Sequence, residues 1–432
     1  MTQFQDIAFP PGFLWGCATA SHQVEGNCTK NHWWAWEQEG GHIRDGSVSG
    51  LACDHYNRFE EDFALARELG HNAHRISIEW SRIEPEEGRW DSAEVDHYRR
   101  VLESMHRNGL TPLVTLHHFT NPLWFQQRGG WLLPESLDLI ARYAAFMARE
   151  LGDLVPIWLT INEPMVVAAE SYLMGLHPPC EQDLTKAMTV ARHMLLAHGR
   201  MYQAIREATT HNPRIGPVKQ MPHFEPLDPA SEEDRQAAQS IDNLFNEFFL
   251  AGVDQGVVPP PVGQGEEVPG LKGTWDIIGL NHYTRTLVSA EGQEPPGTFA
   301  PPPEGAEVTA MGDEVYPEGI YHQLIRLAKY QKPIYVTENG ISTLDDEQRC
   351  RYLLRYLREV QRAISDGADV RGYLQWTFVD NFEWAEGFAQ KFGIVAMEPG
   401  TLRRIPKPSA YMYREIAAHN GIPARLFQEH LG

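Results

Sequence analysis

The sequence has no cysteine framework. Its five cysteines, at positions 17, 28, 53, 180 and 350, form no CxxC pair and no spacing suited to a metal. An odd, scattered set of this kind implies reduced thiols and a cytoplasmic protein. Long hydrophobic runs are missing as well: no stretch approaches the ~18 continuous apolar residues of a membrane-spanning helix. The opening Met1-Thr-Gln-Phe-Gln-Asp6 has neither the basic start nor the apolar run of a secretory leader. The Asn27-Cys28-Thr29 sequon therefore carries no weight as a glycosylation site. Positive charge is scarce, since 37 Lys and Arg face 58 Asp and Glu for a net charge of −21. That balance excludes nucleic acid and anionic membrane surfaces as partners, and is read as a solubility feature. No GxGxxG follows the first strand and no Gly-rich phosphate cradle occurs, so nothing points to a nucleotide cofactor or to any other. Short internal repeats are absent too.

What is present is an alternation. Eight strand-like runs, Phe13–Ala20, Ala73–Trp80, Thr111–Phe119, Ile157–Asn162, Arg214–Met221, Trp275–Thr284, Ile334–Thr337 and Gly372–Phe378, are separated by helical patterns at 57–70, 94–108, 135–151, 184–209, 231–251, 316–330, 346–366 and 408–419. The helix over 94–108 carries apolar residues at Val95, Tyr98, Val101, Leu102 and Met105, one face of a 3.6-residue period. Continuous apolar strands alternating with amphipathic helices predict a parallel sheet covered by helices, and eight such units close into a barrel. The expected fold is α/β: one (β/α)8 TIM barrel with extended βα loops, spanning residues 1–432 without an internal linker. An open, doubly wound sheet is the alternative. Residues 255–272 and 291–318, rich in Pro, Gly and Glu, are expected to be long loops flanking the sixth strand.

In parallel barrels the chemistry sits at the C-terminal ends of the strands. Two ends share one grammar. Ile157-Trp-Leu-Thr-Ile-Asn-Glu-Pro164 and Pro333-Ile-Tyr-Val-Thr-Glu-Asn-Gly340 each run from an apolar strand into a glutamate and a stop, 338 − 163 = 175 residues apart. Around Glu163 and Glu338 the other ends offer Gln23, His118, Asn162, Asn281, Tyr283, Trp376, Glu383 and Trp384, with Arg75 inside the second strand. A buried arginine requires an anionic partner. Taken singly, each has a plain structural explanation: a capped histidine, a core tryptophan, a surface ion pair. Taken together they converge on one rim, where amides, an imidazole and a carboxylate suit a polyol and indoles suit the apolar face of a pyranose. No lysine is expected beside these ends, which disfavours phosphorylated substrates. His71 and His74, or His193 and His198, have no third ligand at usable spacing, so no metal is expected.

The chain resembles glycoside hydrolase family 1, the β-glucosidase and β-galactosidase group, along essentially its whole length. Phe13-Leu-Trp-Gly-Cys-Ala-Thr-Ala20 with Gln23-Val-Glu-Gly26 is similar to that family's N-terminal signature. Thr160-Ile-Asn-Glu-Pro164 resembles its acid/base motif and Thr337-Glu-Asn-Gly340 its nucleophile motif, while Trp376, Asp380-Asn-Phe-Glu-Trp384 and Phe392-Gly393 resemble its sugar-binding C-terminal motif. The resemblance implies a retaining, exo-acting β-glycosidase for terminal β-D-glucosyl residues, with galactosyl and fucosyl residues also accepted. Glu338 would be the nucleophile and Glu163 the acid/base. Gln23, His118, Asn162, Tyr283, Trp376, Glu383, Trp384 and Phe392 would bind the sugar, with Arg75 and Asn281 supporting the carboxylates. The only partner implied is a small β-glycoside or oligosaccharide; a homo-oligomer stays open. His117-His118-Phe119-Thr120-Asn121, Met165 and His282 depart from the commoner family pattern, which bears on the leaving-group subsite. Two alternatives remain: a non-catalytic sugar-binding barrel, whose members usually lack one of the two glutamates, and a 6-phospho-β-glycosidase, whose phosphate Glu383 would repel.

Overall fold

Eight strands form at the eight expected places: β1 (Leu14–Ala18), β2 (Ala73–Ser77), β3 (Thr111–His117), β4 (Ile157–Asn162), β5 (Arg214–Gln220), β6 (Ile278–Asn281), β7 (Ile334–Asn339) and β8 (Val370–Trp376). Almost every position in them is buried, because helices cover the outer face and side chains fill the inside. In the computed structural model, which describes residues 4–291, 298–398 and 400–432, the strands pair in parallel in chain order and β8 pairs with β1. The result is a closed barrel.

The eight expected helices form too: α1 (His55–Glu68), α2 (Ser92–Arg107), α3 (Ser136–Leu151), α4 (Leu184–Ala208), α5 (Glu232–Asp242), α6 (Glu318–Ala328), α7 (Asp346–Ser365) and α8 (Pro408–His419). Several starts are fixed by aspartate or serine caps. Asp91 accepts from the amides of Ala93 and Glu94 at the head of α2, Asp183 caps α4, Ser231 caps α5 and Asp345 caps α7. The apolar stripe of α7, including Tyr352, Leu353, Tyr356, Leu357 and Val360, is buried against the barrel. The expected helix over 231–251 is divided: α5 passes through a wide π-type stretch, Asn243–Glu247, before resuming at Phe248–Gln255.

The long loops are more regular than the composition suggests. Within 255–272, Val257–Val258 pairs with Glu266–Glu267. Beyond β6, Arg285–Ser289 pairs with His223–Pro226 and with Thr298–Ala300 in a three-stranded sheet. Arg285 locks that sheet by contacts of 2.9 Å to Glu225 and 2.6 Å to Glu314. Residues 292–297 of the expected loop lie outside the described residues.

Candidate active site

Glu163 directly follows β4 and Glu338 is the next-to-last residue of β7, so both carboxylates arise at the same end of the barrel. Glu338 belongs to the strand proper, which runs one residue past it to Asn339. The register places Asn281 of β6 opposite Glu338 and Asn162 of β4 opposite Val218 of β5. Glu163 takes a left-handed backbone, φ 48° and ψ 58°, before Pro164 starts the next helix. For a non-glycine residue this is a strained conformation, held here by the bond from its amide to the Val218 carbonyl at 2.9 Å. Behind Glu338, a Cβ on Gly340 would fall 1.8 Å from the Trp376 carbonyl oxygen, so the turn after that strand end admits only glycine.

Both glutamates are buried, at 7% and 4% exposure, and one amide oxygen links them. Arg75 donates from Nη1 to Glu338 Oε1 at 2.5 Å and from Nη2 to Asn162 Oδ1 at 2.6 Å. Asn281 donates from Nδ2 to Glu163 Oε1 at 2.6 Å and to the same Asn162 Oδ1 at 3.2 Å. Tyr283 Oη donates to Glu338 Oε2 at 2.6 Å. The two carboxylates therefore have unequal surroundings. Glu338 has a guanidinium and a phenol; Glu163 has one neutral amide.

The protonation equilibria follow that inequality. Burial, then the charge of Glu338, pushes Glu163 up to about 8, against smaller opposing effects of Asn281, Arg75 and Lys219. Burial raises Glu338 as well, and Arg75, Tyr283 and Asn281 draw it back down. Arg75 therefore lowers Glu338 as an adjacent cation should, although burial outweighs it, and this favours ionisation of Glu338 before Glu163.

The other strand ends complete the rim. Gln23, in the short helix Ser21–Val24, donates from Nε2 to Glu383 Oε2 at 3.2 Å and to the Phe382 carbonyl at 2.9 Å. Burial and the charge of Glu338 push Glu383 up to about 8, while hydrogen bonds from Trp376 and Gln23 oppose the shift. His118 is stacked 6.1 Å from Trp376 and 6.0 Å from Trp384, and accepts from Asn162 Nδ2 at 3.3 Å. Burial holds its imidazole neutral. Phe392 packs edge-on to Tyr283 at 6.3 Å. Gln23 Oε1 and His118 Nδ1 are buried and have no hydrogen-bond partner among the described residues. The structure thus gathers Gln23, Arg75, His118, Asn162, Glu163, Asn281, Tyr283, Glu338, Trp376, Glu383, Trp384 and Phe392 around one mouth.

Several supporting residues escaped the sequence analysis. Thr115 accepts from Arg75 Nε at 3.0 Å, and Thr337 donates to Asn281 Oδ1 at 2.7 Å, which turns the Asn281 amino group toward Glu163. His22 stacks on Trp384 at 5.8 Å while its ring nitrogens are engaged by Glu37 at 2.7 Å and Asn31 at 3.1 Å. His22, Cys28 and Glu79 lie close enough to share a metal. Yet Glu79 already accepts from Ser21, Ser81 and Thr120, so the cluster is satisfied internally. The expectation that no lysine lies beside the strand ends fails: Lys219, near the end of β5, is fully buried and within electrostatic reach of Glu163. A lysine in strand register reads as solvent-facing, and only the helical layer over β5 encloses it.

Comparison with known proteins gives the same outline. The family description "Glycosyl hydrolase family 1" matches residues 5–422. Beta-glucosidase A of Thermotoga maritima is 35% identical over 443 residues, covering 96% of this chain and 98% of that protein. A structure of a T. maritima β-glucosidase in complex with glucoimidazole has a TM-score of 0.89 at 35% identity, covering 96% of this chain and 100% of that one. A β-galactosidase of Pyrococcus woesei is 32% identical over 516 residues, with 98% and 99% coverage. The structure of a β-glycosidase from Pyrococcus horikoshii has a TM-score of 0.92 at 40% identity, covering 99% of this chain and 98% of that one.

Proposed function

Starting from the fact that this chain belongs to glycosyl hydrolase family 1 and is a β-glycosidase of the glucosidase and galactosidase type, we propose that it removes terminal β-D-glucosyl residues, and also galactosyl and fucosyl residues, by double displacement. Glu338 is the nucleophile and Glu163 the acid and base. The whole chain, 1–432, acts as one barrel unit.

In the first step Glu338 Oε attacks the anomeric carbon as Glu163 gives its proton to the departing glycosidic oxygen; the C–O bond to the leaving group breaks and an α-glycosyl ester forms. In the second, Glu163, now ionised, takes a proton from water. That water attacks the anomeric carbon and frees Glu338, so the sugar leaves with its original β configuration. Such a mechanism needs one ionised and one protonated carboxyl, about 5–5.5 Å apart. The observation that carries the proposal is the unequal pairing of the two: Arg75 and Tyr283 on Glu338, Asn281 alone on Glu163.

In this reading Asn162 meets the sugar 2-hydroxyl, a contact that strengthens at the transition state. Gln23, His118, Glu383 and Trp384 hold the remaining hydroxyls, Trp376 underlies the ring, and Phe392 closes the side near Tyr283. The complex of the T. maritima relative with glucoimidazole supports a glucose-sized ligand. Glu383 beside Gln23 favours an unphosphorylated sugar, since that wall offers a 6-phosphate a carboxyl group where a buried dianion needs a cation. The test is proton NMR of the sugar as it is first released from p-nitrophenyl β-D-glucoside. β-Glucose appearing ahead of mutarotation is expected; α-glucose first would overturn the mechanism, and no release by folded, sugar-binding protein would favour a binding module.

A further inference from the structure

On the outside of the barrel, the last helix, Ala424–Leu431, packs against α7. It buries only Leu426 and Phe427, the latter stacked on Phe4 at 5.2 Å. A group of three unlike side chains joins the two helices: Glu347 and Cys350 of α7 and His430 of the last helix. One donor atom from each lies within 4.8 Å of the other two. His430 Nδ1 is 2.8 Å from Glu347 Oε1. Glu347 and Cys350 are three residues apart, so α7 turns both to the same face. None of the histidine pairs considered from the sequence takes part. His430 follows Cys350 by 430 − 350 = 80 residues, so no spacing announces the set.

The arrangement differs from that of His22, Cys28 and Glu79, whose polar atoms are already engaged. Glu347 Oε1 has His430 as its near partner; Arg351 comes no closer than 4.0 Å and leans to Asp345 at 3.6 Å. Cys350 is a free thiol, 1% exposed. Among the described residues the thiols that form hydrogen bonds are those of Cys28 and Cys53, and the Cys350 sulfur is left without one. Packing accounts for a buried thiol, and an ion pair accounts for the other two groups. Neither accounts for the sulfur lying within reach of both.

We propose that Glu347, Cys350 and His430 bind a zinc ion that clamps the last helix to α7. A thiolate, an imidazole and a carboxylate are donors that Zn2+ takes, whereas Mg2+ and Ca2+ prefer oxygen alone. Around a tetrahedral zinc with bonds of about 2.0–2.3 Å, donor atoms stand roughly 3.3–3.7 Å apart. The 2.8 Å contact between His430 and Glu347 must therefore open by about half an ångström or more, which the half-exposed Glu347 side chain supplies by turning. The ion replaces the proton of the Cys350 thiol, and solvent takes the fourth position. No residue of the barrel mouth takes part, so the proposal stands apart from the assignment of Glu163 and Glu338.

The test uses the full chain, stripped of metal with a chelator and titrated with Co2+, whose bonds to thiolate absorb in the near ultraviolet. One equivalent of Co2+ should produce this sulfur-to-metal band, and added Zn2+ should remove it. Cys350→Ser should lose the band although the other four cysteines remain. No band in wild type, or a band that survives in Cys350→Ser, overturns the proposal. Zn2+ at a hundredfold excess over its Kd should also raise the Tm of wild type by about 2–3 °C. An equal rise with Mg2+ would mean general attraction to an acidic surface and would overturn the clamp. If Cys350→Ser does not fold, His430→Ala decides the matter, because that side chain is partly exposed. Its affinity for Co2+ should fall at least about tenfold; an unchanged affinity overturns the proposal.

Discussion

Arg75 and Glu338 form an ion pair inside the barrel: Nη1 lies 2.5 Å from Oε1, and both side chains are almost fully withdrawn from water. The other end of the guanidinium fork holds Asn162, so one arginine fixes both Glu338, the proposed nucleophile, and the amide proposed to meet the sugar 2-hydroxyl. Arg75→Met should therefore have two effects. Removing one partner of a buried pair costs ~3–5 kcal/mol of folding stability. Glu338, which must be ionised to attack, also loses the cation that draws its equilibrium down, so activity disappears at a higher pH on the acid side. Thermal melts and the acid limb of kcat/KM measure the two; a limb that stays put would show that Arg75 holds the barrel without biasing Glu338.

Glu163 must be protonated in the first step, and its proton is lost near pH 8. The rate should fall as pH rises through that range and recover on return. Glu163→Gln should remove this limb. A limb retained in that variant would belong to another group, Glu383 being the obvious one because it titrates in the same range.

Loss of acid catalysis should depend on the leaving group. In Glu163→Ala, 2,4-dinitrophenyl β-glucoside, whose phenolate leaves unaided, should retain its first step, whereas cellobiose should lose ~10²–10⁴-fold in kcat/KM. Equal losses on both substrates would contradict proton donation by Glu163.

Much of this was legible before any coordinates. A carboxylate closing one apolar run has an ordinary explanation as a loop acid, but Glu163 and Glu338 stand out because two strand ends share that grammar, and the Pro164 and Gly340 that follow are stops with geometric reasons. The eight strands were readable from continuous apolar runs and the helices from their spacing, except for the division of 231–251. What stayed hidden depends on partners distant in sequence. Thr115 and Thr337 look like ordinary β-branched strand residues until the register sets them against Arg75 and Asn281. Lys219 looks solvated until the π-type stretch Asn243–Glu247 brings Phe245 over it. The three-stranded sheet containing Arg285–Ser289 was obscured because its strands are short and come from three separate segments.

Glu338→Gly should abolish hydrolysis of aryl β-glucosides and leave room beside the anomeric carbon for a small anion. Added azide should restore turnover of an activated substrate, giving α-glucosyl azide by a single inversion. β-Glucosyl azide would contradict the side assigned to Glu338.

The covalent ester is the central claim, and trapping it tests that claim most directly. A 2-fluoro sugar slows both steps, and a dinitrophenyl leaving group lets the first proceed, so 2,4-dinitrophenyl 2-deoxy-2-fluoro-β-D-glucoside should inactivate the enzyme with time as the adduct accumulates. Digestion and tandem mass spectrometry should then place the fluoroglucosyl mass on Glu338, within Ile334–Gly340. A label on Glu163, or inactivation without any covalent adduct, would contradict the account.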